Sequence, residues 1–372
     1  MTDSALELDN TTVIDSDAQE EEATTIAQQE EEQEALENEK FAQMIEEIHL
    51  FDLDEDSSYT KSNVELTDKP DLNAFLVKLC RHTYGSKSSR GYKFVEDSKV
   101  ALYIDTVVKS PEKWPLFAEK IAFALTKAEK KPSFEIKEGT FVIARANINE
   151  RDVIIMSKLD LETYYSRTTY EKEKGLPEEK GILKSCVIFI NEDGLRDEEI
   201  RLSDKNGNIA NFWYEKFLDA EPLQKDDINT KKAYTLIKQV ITTVCADCKE
   251  DMYGLIESLN SYFTTKKTFD FDVFLNDNIK SFNFEKVDVE KVSEALIRLK
   301  DRNKFDGQFS IELKTIKKDI KNIVQLDDGM TLQSEGNIRD KVFKTKLEGK
   351  NYLLVRTDTG LDGFKERKIS SK

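Results

Sequence analysis

The chain has 372 residues and a formal net charge of −17, and 35% of its residues are charged. This length is enough for two or three domains. The longest apolar runs, such as residues 186–190 (CVIFI), are only strand-sized, so the sequence predicts no membrane span. The first residues lack the basic and apolar regions of a secretory signal. Four cysteines in so long a chain do not indicate a disulfide framework, and a reducing cytoplasm fits best.

The negative charge is concentrated in the N-terminal sixth of the chain. Residues 1–60 contain 20 Asp or Glu and one basic residue, whereas the rest contains 55 Lys or Arg and 53 Asp or Glu. Residues 1–43 are rich in Glu and Gln and poor in aromatic residues, which predicts a disordered acidic arm. Three interpretations are open: a solubilising tail, a segment that contacts the protein's own basic surface, or a segment that recruits a basic protein partner.

Helices and turns are predicted in the part that follows the arm. Residues 41–53 fit either a helix or a strand, because their apolar residues do not settle the period. Residues 71–85 predict a helix that Asp71 caps. A second helix is predicted after Ser110-Pro111, with an irregular first turn because of Pro115.

Strand-like runs begin near residue 140. Residues 140–148 and 151–160 predict a hairpin that turns at Asn149-Glu150. The other predicted elements are strands at 185–194 and 198–204, a short helix at 208–222, a helix or helix pair at 227–263, a helix at 289–302, and a C-terminal hairpin at 341–358 turning at Glu348-Gly349. The absence of a βαβ rhythm predicts an α+β protein with one or more antiparallel sheets and packed helices.

We therefore expect three parts along the chain. The disordered acidic arm covers residues 1–43, an α+β domain covers residues 44–235, and a helical segment with a C-terminal β hairpin covers residues 236–372. We expect the last two parts to be continuous with each other.

No motif predicts a metal site or a nucleophilic active site. Cys245 and Cys248 have the C-x-x-C spacing but lie within a helical pattern and have no second ligand pair, so we expect two cysteines on a helix face. The chain has only two histidines, and no phosphate-binding glycine loop occurs. We expect no cofactor, no metal and no enzymatic activity.

Two other function classes stay open. One is a magnesium-dependent nuclease, or a DNA-sensing subunit, in phage defence, in which carboxylates hold Mg²⁺ beside a lysine. Asp306 with Glu312 and Lys314, or Glu135 with Lys137, has suitable residue types, although such spacings occur by chance in a highly charged chain. The other class is a protein-interaction scaffold with an acidic recruiting arm.

Three basic clusters are candidate nucleic-acid-binding sites. The first surrounds a Gly- and Ser-rich loop after a helix, where backbone N–H groups can approach phosphates and Tyr84 and Tyr92 can lie against a sugar or base. The second has the spacing of one helix stripe. The predicted binding residues are Arg81, Lys87, Arg90 and Lys93 in the first cluster, Lys314, Lys317, Lys318 and Lys321 in the second, and Arg339 and Lys341 in the third, which continues to Lys344 and Lys346.

The order of the motifs resembles the bacterial nucleoid-associated protein family of the YejK/NdpA type. The resemblance runs from about residue 44 to the end and is poorest over residues 263–325. The residues that carry it are Arg81, Tyr84, Lys87, Arg90 and Tyr92; Pro132, Phe134, Gly139, Phe141 and Val142; the run VIIMSKLD; Leu176-Pro177 with CVIFI; and Phe212-Trp213, Phe217-Leu218 and Ala220.

This resemblance implies a non-enzymatic DNA-binding protein of the bacterial cytoplasm and nucleoid. Because no recognition-helix or zinc-finger pattern is present, we expect contacts to the phosphate backbone with little sequence specificity. The choice of binding residues rests on charge and not on the family. Single- and double-stranded DNA, and RNA, stay open as ligands. A homodimer is expected because an antiparallel sheet leaves edges to be covered.

Overall fold

The computed structural model describes residues 32–54, 58–129, 138–176, 182–320, 322–326, 329–334, 341–347, 349–362 and 365. The chain divides into two compact units, Met1–Leu223 and Gln224–Lys372, called here the first and second unit. Both contain antiparallel strands and helices, so the α+β prediction is confirmed. The division expected after residue 235 falls inside one continuous helix, Asp226–Val244.

The C-terminal end of the predicted acidic arm is folded. Residues 32–42 form a helix, α1, and strand β1 begins soon after it at Ile45–Leu53. Residues 41–53 therefore contain the end of a helix and then a strand, which explains why this stretch carries both signals. Phe41 of α1 is buried in the core. The arm prediction for residues 1–31 lies outside the described residues.

One antiparallel sheet organises the first unit. Its strands are β1, β2 (Tyr59–Lys61), β3 (Arg90–Phe94), β4 (Gly139–Ile148), β5 (Arg151–Asp160), β8 (Ile182–Ile190), β9 (Arg196–Asp204) and β10 (Ala220–Pro222), while β6 (Glu162–Tyr165) and β7 (Lys172–Gly175) form a separate hairpin. The spatial order is β10-β3-β9-β8-β5-β4-β1-β2. The predicted hairpin of β4 and β5 is confirmed, and Asn149 and Glu150 turn it with φ of 52° and 64°.

Helices cover both faces of this sheet. They are α2 (Pro70–Gly85), α3 (Lys99–Lys109) and α4 (Trp114–Glu129), with a π-helical turn at Phe212–Phe217. On β5, Ile154 packs in the cluster that contains Trp114 of α4, whereas its neighbour Ile155 packs in the cluster of Val77 from α2. Burial on both faces is the reason that β5 is a continuous apolar run rather than an alternating one. The predicted irregular start of the second helix is confirmed by a 3-10 turn at Pro111–Lys113.

The edges of the sheet are short. Both edge strands, β2 and β10, have three residues, and β10 ends at Pro222, which has no N–H to donate. Short edge strands and proline are common ways to prevent pairing between sheets of different molecules. Homodimerisation therefore stays a prediction without support from an open sheet edge.

The second unit surrounds a phenylalanine-rich core. Its elements are α5 (Asp226–Val244), α6 (Lys249–Thr265), β11 (Thr268–Asp270), α7 (Phe271–Phe274), a π-helical turn at Leu275–Lys280, α8 (Val289–Asp301), β12 (Gln308–Ser310), β13 (Asn322–Gln325), β14 (Thr331–Ser334), β15 (Val342–Leu347) and β16 (Lys350–Val355). Phe269 stacks on Phe309 across the β11–β12 pair, with ring centroids 4.8 Å apart.

A buried carboxylate fixes the chain that enters α8. Asp251 of α6 accepts hydrogen bonds from the backbone N–H groups of residues 285, 286 and 287 at 2.8, 3.0 and 2.9 Å. Burial raises the pKa of Asp251, but the three backbone donors more than offset it and lower the pKa to about 2. The carboxylate is therefore ionised at neutral pH and has a structural partner for its charge.

The predicted helix pair is confirmed as α5 and α6, but the interpretation of its cysteines is wrong. Cys245 ends α5, and Cys248 precedes α6 in an extended conformation, so the C-x-x-C motif forms the turn between two helices and not a helix face. Both cysteines are buried. Within the described ranges, no three His, Cys, Asp or Glu side chains are grouped as a metal ion requires.

Candidate nucleic-acid interface

In the first basic cluster, Arg81 is held by the acidic helix α1. Its Nε donates to Asn38 Oδ1 at 2.7 Å, its Nη2 donates to Glu34 Oε1 at 3.1 Å, and its Nη1 donates to Glu37. Arg81 lies in the last part of α2, so these bonds join two helices more than 40 residues apart in sequence. Carboxylates of α1 thus already bind the guanidinium of Arg81, which the sequence predicted to contact phosphate.

Glu34 lies at the centre of this contact. Its carboxylate is 3.2 Å from Lys78 Nζ and 3.3 Å from His82 Nε2, in addition to its bond with Arg81. Burial raises the pKa of Glu34, but Lys78, His82 and Arg81 together lower it below its usual value. Burial and the charge of Arg81 lower the pKa of His82 despite Glu34 nearby. The site is therefore an acidic helix docked on a basic face of α2.

The other residues of the first cluster lie on or near β3. Arg90 is only 6% exposed and its guanidinium lies 5.7 Å from the ring centroid of Tyr92, while Lys93 Nζ is 3.2 Å from Glu221. Lys87 is half-buried in the loop before β3. Arg90 is therefore not at the surface, and the carboxylate of Glu221 already faces Lys93.

The prediction that tyrosines of this cluster contact a sugar or base is wrong for Tyr92. This residue is 2% exposed and packs on Tyr214, because β3 is an internal strand of the sheet. Tyr84 is half-buried, and its ring lies 6.1 Å from those of both Phe41 and Phe189. Both rings pack in the core of the first unit.

The second basic cluster is exposed but does not form a helix stripe. The structure has a 3-10 turn at Leu313–Thr315 followed by further turns, and it places Lys314, Lys317 and Lys318 in solvent. None of the three forms an ion pair with a residue that the structure describes. The helix interpretation of this cluster is therefore wrong, while the exposure that phosphate binding needs is present.

Tertiary contacts hold the end of this segment in place. The backbone carbonyl of Asp319 accepts from Tyr234 OH at 2.8 Å and from Lys238 Nζ at 3.0 Å, and the carbonyl of Ile320 accepts from Asn260 Nδ2 at 3.2 Å. Side chains of α5 and α6 therefore bind the carbonyls at the end of the basic segment. Ile316, within the segment, is buried in the core of the second unit.

The third cluster lies on the hairpin of β15 and β16, called here the C-terminal ribbon. This hairpin was predicted and is confirmed, with six paired positions from Val342↔Val355 to Leu347↔Lys350. Every residue of β16 is exposed, as are Lys344 and Lys346 of β15 and the preceding Lys341. Residues 341–356 contain four Lys, one Arg and one Glu, so the ribbon is strongly basic.

Some predicted residues lie outside the described residues. These are Lys321 and Arg339 of the basic clusters, and Glu135 and Lys137 of the nuclease alternative. For the other nuclease candidates, Asp306 accepts from Asn229 Nδ2 at 2.6 Å inside the second unit, and Glu312 is exposed. The carboxylate of Asp306 therefore has a structural partner.

Comparison with known proteins decides the family. A family model described as nucleoid-associated protein YejK matches residues 46–344, about four-fifths of the chain. The chain belongs to this nucleoid-associated family. No curated protein matched the chain in a separate comparison. The family implies a DNA-associated role in the bacterial nucleoid and is generally non-enzymatic. No helix in the described ranges is both long and apolar enough to cross a membrane.

Two features of this protein's surface were not predicted in detail from the sequence. One is the choice of partners in the contact of Glu34 and Glu37 with Arg81: the sequence left open that the arm contacts the protein's own basic surface, but no local pattern indicates these residues. The other is the β6–β7 hairpin, whose tip exposes Tyr165 and Tyr170. A signal for this hairpin exists in the run ETYYSRTTYEKEKG, where Tyr and Thr residues flank a short polar segment.

Proposed function

We propose that this protein is a non-enzymatic DNA-binding protein that contacts the phosphate backbone with little sequence specificity. The C-terminal ribbon is the observation that carries the proposal. Five basic residues project from it, and Lys341, Lys344 and Lys346 form no ion pair with any described residue. Lys314, Lys317 and Lys318 of the second cluster add further exposed cations to the same unit.

The shape of the ribbon suits a DNA groove. Strands of six residues are about 20 Å long, and paired strands lie about 4.8 Å apart. The major groove of DNA is about 12 Å wide and admits a two-stranded ribbon with phosphates on either side. The ribbon can thus place lysines along both backbones.

The residue types on the ribbon favour phosphate contacts over base reading. Four of its five cations are lysines, which act as point charges without the planar fork that arginine uses to recognise guanine. Lysine contacts to phosphate position a protein on DNA but carry no sequence information. Weak sequence preference follows from this composition.

A salt titration of the full chain on duplex DNA tests the proposal. If the five cations of the ribbon each neutralise one phosphate, log K falls against log salt with a slope of about −4.5. Two duplexes of equal length and unrelated sequence bind within about threefold of each other. Affinity that does not change with salt would contradict backbone binding, and Mg²⁺-dependent plasmid cleavage that Glu312→Ala abolishes would contradict the non-enzymatic assignment.

The acidic helix α1 regulates this binding in our proposal. Glu34 and Glu37 neutralise Arg81 and Lys78, so the first basic cluster contacts DNA only after α1 leaves it. The double variant Glu34→Gln/Glu37→Gln is expected to bind DNA about fivefold more tightly, since exposed ion pairs of this kind contribute about 1 kcal/mol. Gel-shift titration at fixed salt measures the change.

A matched control distinguishes the release of α1 from Arg81 and Lys78 from a general change in net charge. Glu119→Gln/Glu294→Gln also removes two carboxylates from ion pairs, those with Lys61 and Arg298, far from α1 in sequence. This control is expected to change the affinity less than twofold. Equal effects of the two double variants would mean that net charge, and not the docking of α1, sets the affinity.

A further inference from the structure

The tip of the β6–β7 hairpin displays two tyrosines and an arginine. Tyr165 and Tyr170 are 76% and 81% exposed, the highest values for any large hydrophobic side chain in the described part of the chain. Arg167 is exposed between them. Single exposed apolar residues are normal on a protein surface. Two tyrosines and an arginine on one short tip are residue types that can stack on a planar ligand.

The tip is ordered by its own hydrogen bonds. Ser166 N–H donates to the carbonyl of Glu171 at 2.9 Å, and Tyr170 N–H donates to the carbonyl of Ser166 at 2.8 Å. The hydroxyls of Thr169 and Tyr164 donate to the Glu173 carboxylate at 2.9 and 3.2 Å. The backbone of the tip is therefore fixed before any ligand arrives, which reduces the entropy lost on binding.

Tyr170 occupies an uncommon backbone conformation. Its φ of 58° lies in the left-handed region, which costs a residue with a side chain about 1 kcal/mol or more. Glycine or asparagine would adopt this conformation with less strain. An aromatic residue at this position, with its ring in solvent, does not serve the turn itself.

The three displayed side chains do not stabilise the hairpin. With respect to the described residues, the side chains of Tyr165, Arg167 and Tyr170 form no hydrogen bond, ion pair or ring contact. The hydrogen bonds that order the tip come from Ser166, Thr169 and Tyr164 instead. The exposed rings and the guanidinium are thus free to bind another molecule.

We propose that Tyr165, Arg167 and Tyr170 stack on unpaired bases of DNA, an inference that rests on the DNA-binding function proposed above. Aromatic rings and arginine stack on every base, but the faces of bases in an intact duplex are covered by their neighbours. The tip therefore selects DNA that is single-stranded or locally opened, while the lysines of the second unit hold phosphates of any DNA.

The size of the tip favours a base over a protein as its ligand. A stable protein interface uses about 20 to 30 residues on each side. The whole hairpin from Glu162 to Gly175 has fewer residues than this, and only residues 166–171 lie between its strands. Stacking on a base requires only one ring per base.

Two DNAs that differ in one feature test the inference. A duplex and the same duplex with a central stretch of unpaired bases are titrated with the full chain at fixed salt. The wild type is expected to prefer the opened DNA, and Tyr165→Ala/Tyr170→Ala is expected to lose about tenfold in affinity for it. The affinity for the intact duplex is expected to stay unchanged in this variant.

Two further variants control for the aromatic ring and for its position on the protein. Tyr165→Phe/Tyr170→Phe keeps both rings and is expected to retain the preference. Tyr253→Ala removes an exposed tyrosine from α6 and is expected to have no effect. Equal binding of the two DNAs by the wild type, or an alanine variant that keeps the preference, overturns the inference. The second result is also the one expected if the tip binds a protein.

These titrations distinguish failure of base stacking by the hairpin tip from failure of DNA binding as a whole. If neither DNA binds, the DNA-binding proposal and the inference fall together. If both DNAs bind with a steep salt dependence but with equal affinity, DNA binding stands and only the role of Tyr165 and Tyr170 is overturned.

Discussion

Replacing Lys341, Lys344 and Lys346 by glutamine is expected to weaken duplex binding by about a hundredfold at about 0.15 M salt. Each phosphate contact contributes about 0.9 to the salt slope, so the slope is expected to become shallower by about 2.7. The fold should be unaffected, because the three side chains are exposed and Lys344 and Lys346 lie on a two-stranded ribbon. Gel-shift titration at several salt concentrations gives the affinity and the slope from one data set.

A matched variant distinguishes the ribbon from general charge. Lys266, Lys267 and Lys291 are exposed lysines of the same unit that lie in none of the three clusters. Their triple replacement by glutamine removes the same charge and is expected to weaken binding by less than threefold. If this control loses as much affinity as the ribbon variant, the overall positive charge of the second unit attracts DNA. The ribbon then has no special role.

Removing the Asp204 carboxylate is expected to destabilise the first unit by about 3–5 kcal/mol. Lys184 Nζ lies 2.8 Å from Asp204 Oδ2, and both side chains are buried beside the sheet. Asp204 also accepts from the N–H groups of Asn206 and Ala210 at 3.0 and 3.2 Å. Asp204→Ala therefore leaves a buried ammonium and two backbone donors without their acceptor.

Urea denaturation measures this effect on the first unit alone. The chain has two tryptophans, Trp114 and Trp213, and both are fully buried in the first unit, so fluorescence reports its unfolding. Glu119→Ala, which breaks the partly exposed pair with Lys61 in the same unit, serves as the control and is expected to cost less than about 1 kcal/mol. A loss below about 1 kcal/mol for Asp204→Ala would show that water replaces the carboxylate.

Local sequence patterns predicted much of the fold because local physics determines it. The turn at Asn149-Glu150 and the C-terminal ribbon follow from strand-like runs that flank turn residues. The pair α5 and α6 follows from apolar periodicity. The helix predicted at 208–222 is shorter in the structure, a π-helical turn at Phe212–Phe217 followed by strand β10. Helix α3 and strand β3 were not predicted.

The choice among the basic clusters required contacts that are distant in sequence. Charge spacing assigned equal roles to Arg81, Arg90 and Lys344. In the structure Arg81 binds carboxylates of α1, Arg90 is buried at β3, and Lys344 is exposed on the ribbon. A charge pattern does not reveal which cations the protein uses for its own ion pairs, because the partners come from other parts of the chain.

The amino-acid order alone therefore established an α+β protein with an acidic N-terminal segment, since composition, periodicity and turn chemistry act over a few residues. Only the folded chain decided that Lys314, Lys317 and Lys318 lie on turns rather than on a helix, in a segment whose Ile316 is buried in the second core and whose end is bound by Tyr234 and Asn260. Contacts between distant segments outweigh a local preference of a few tenths of a kcal/mol per residue, and these contacts exist only in the folded chain.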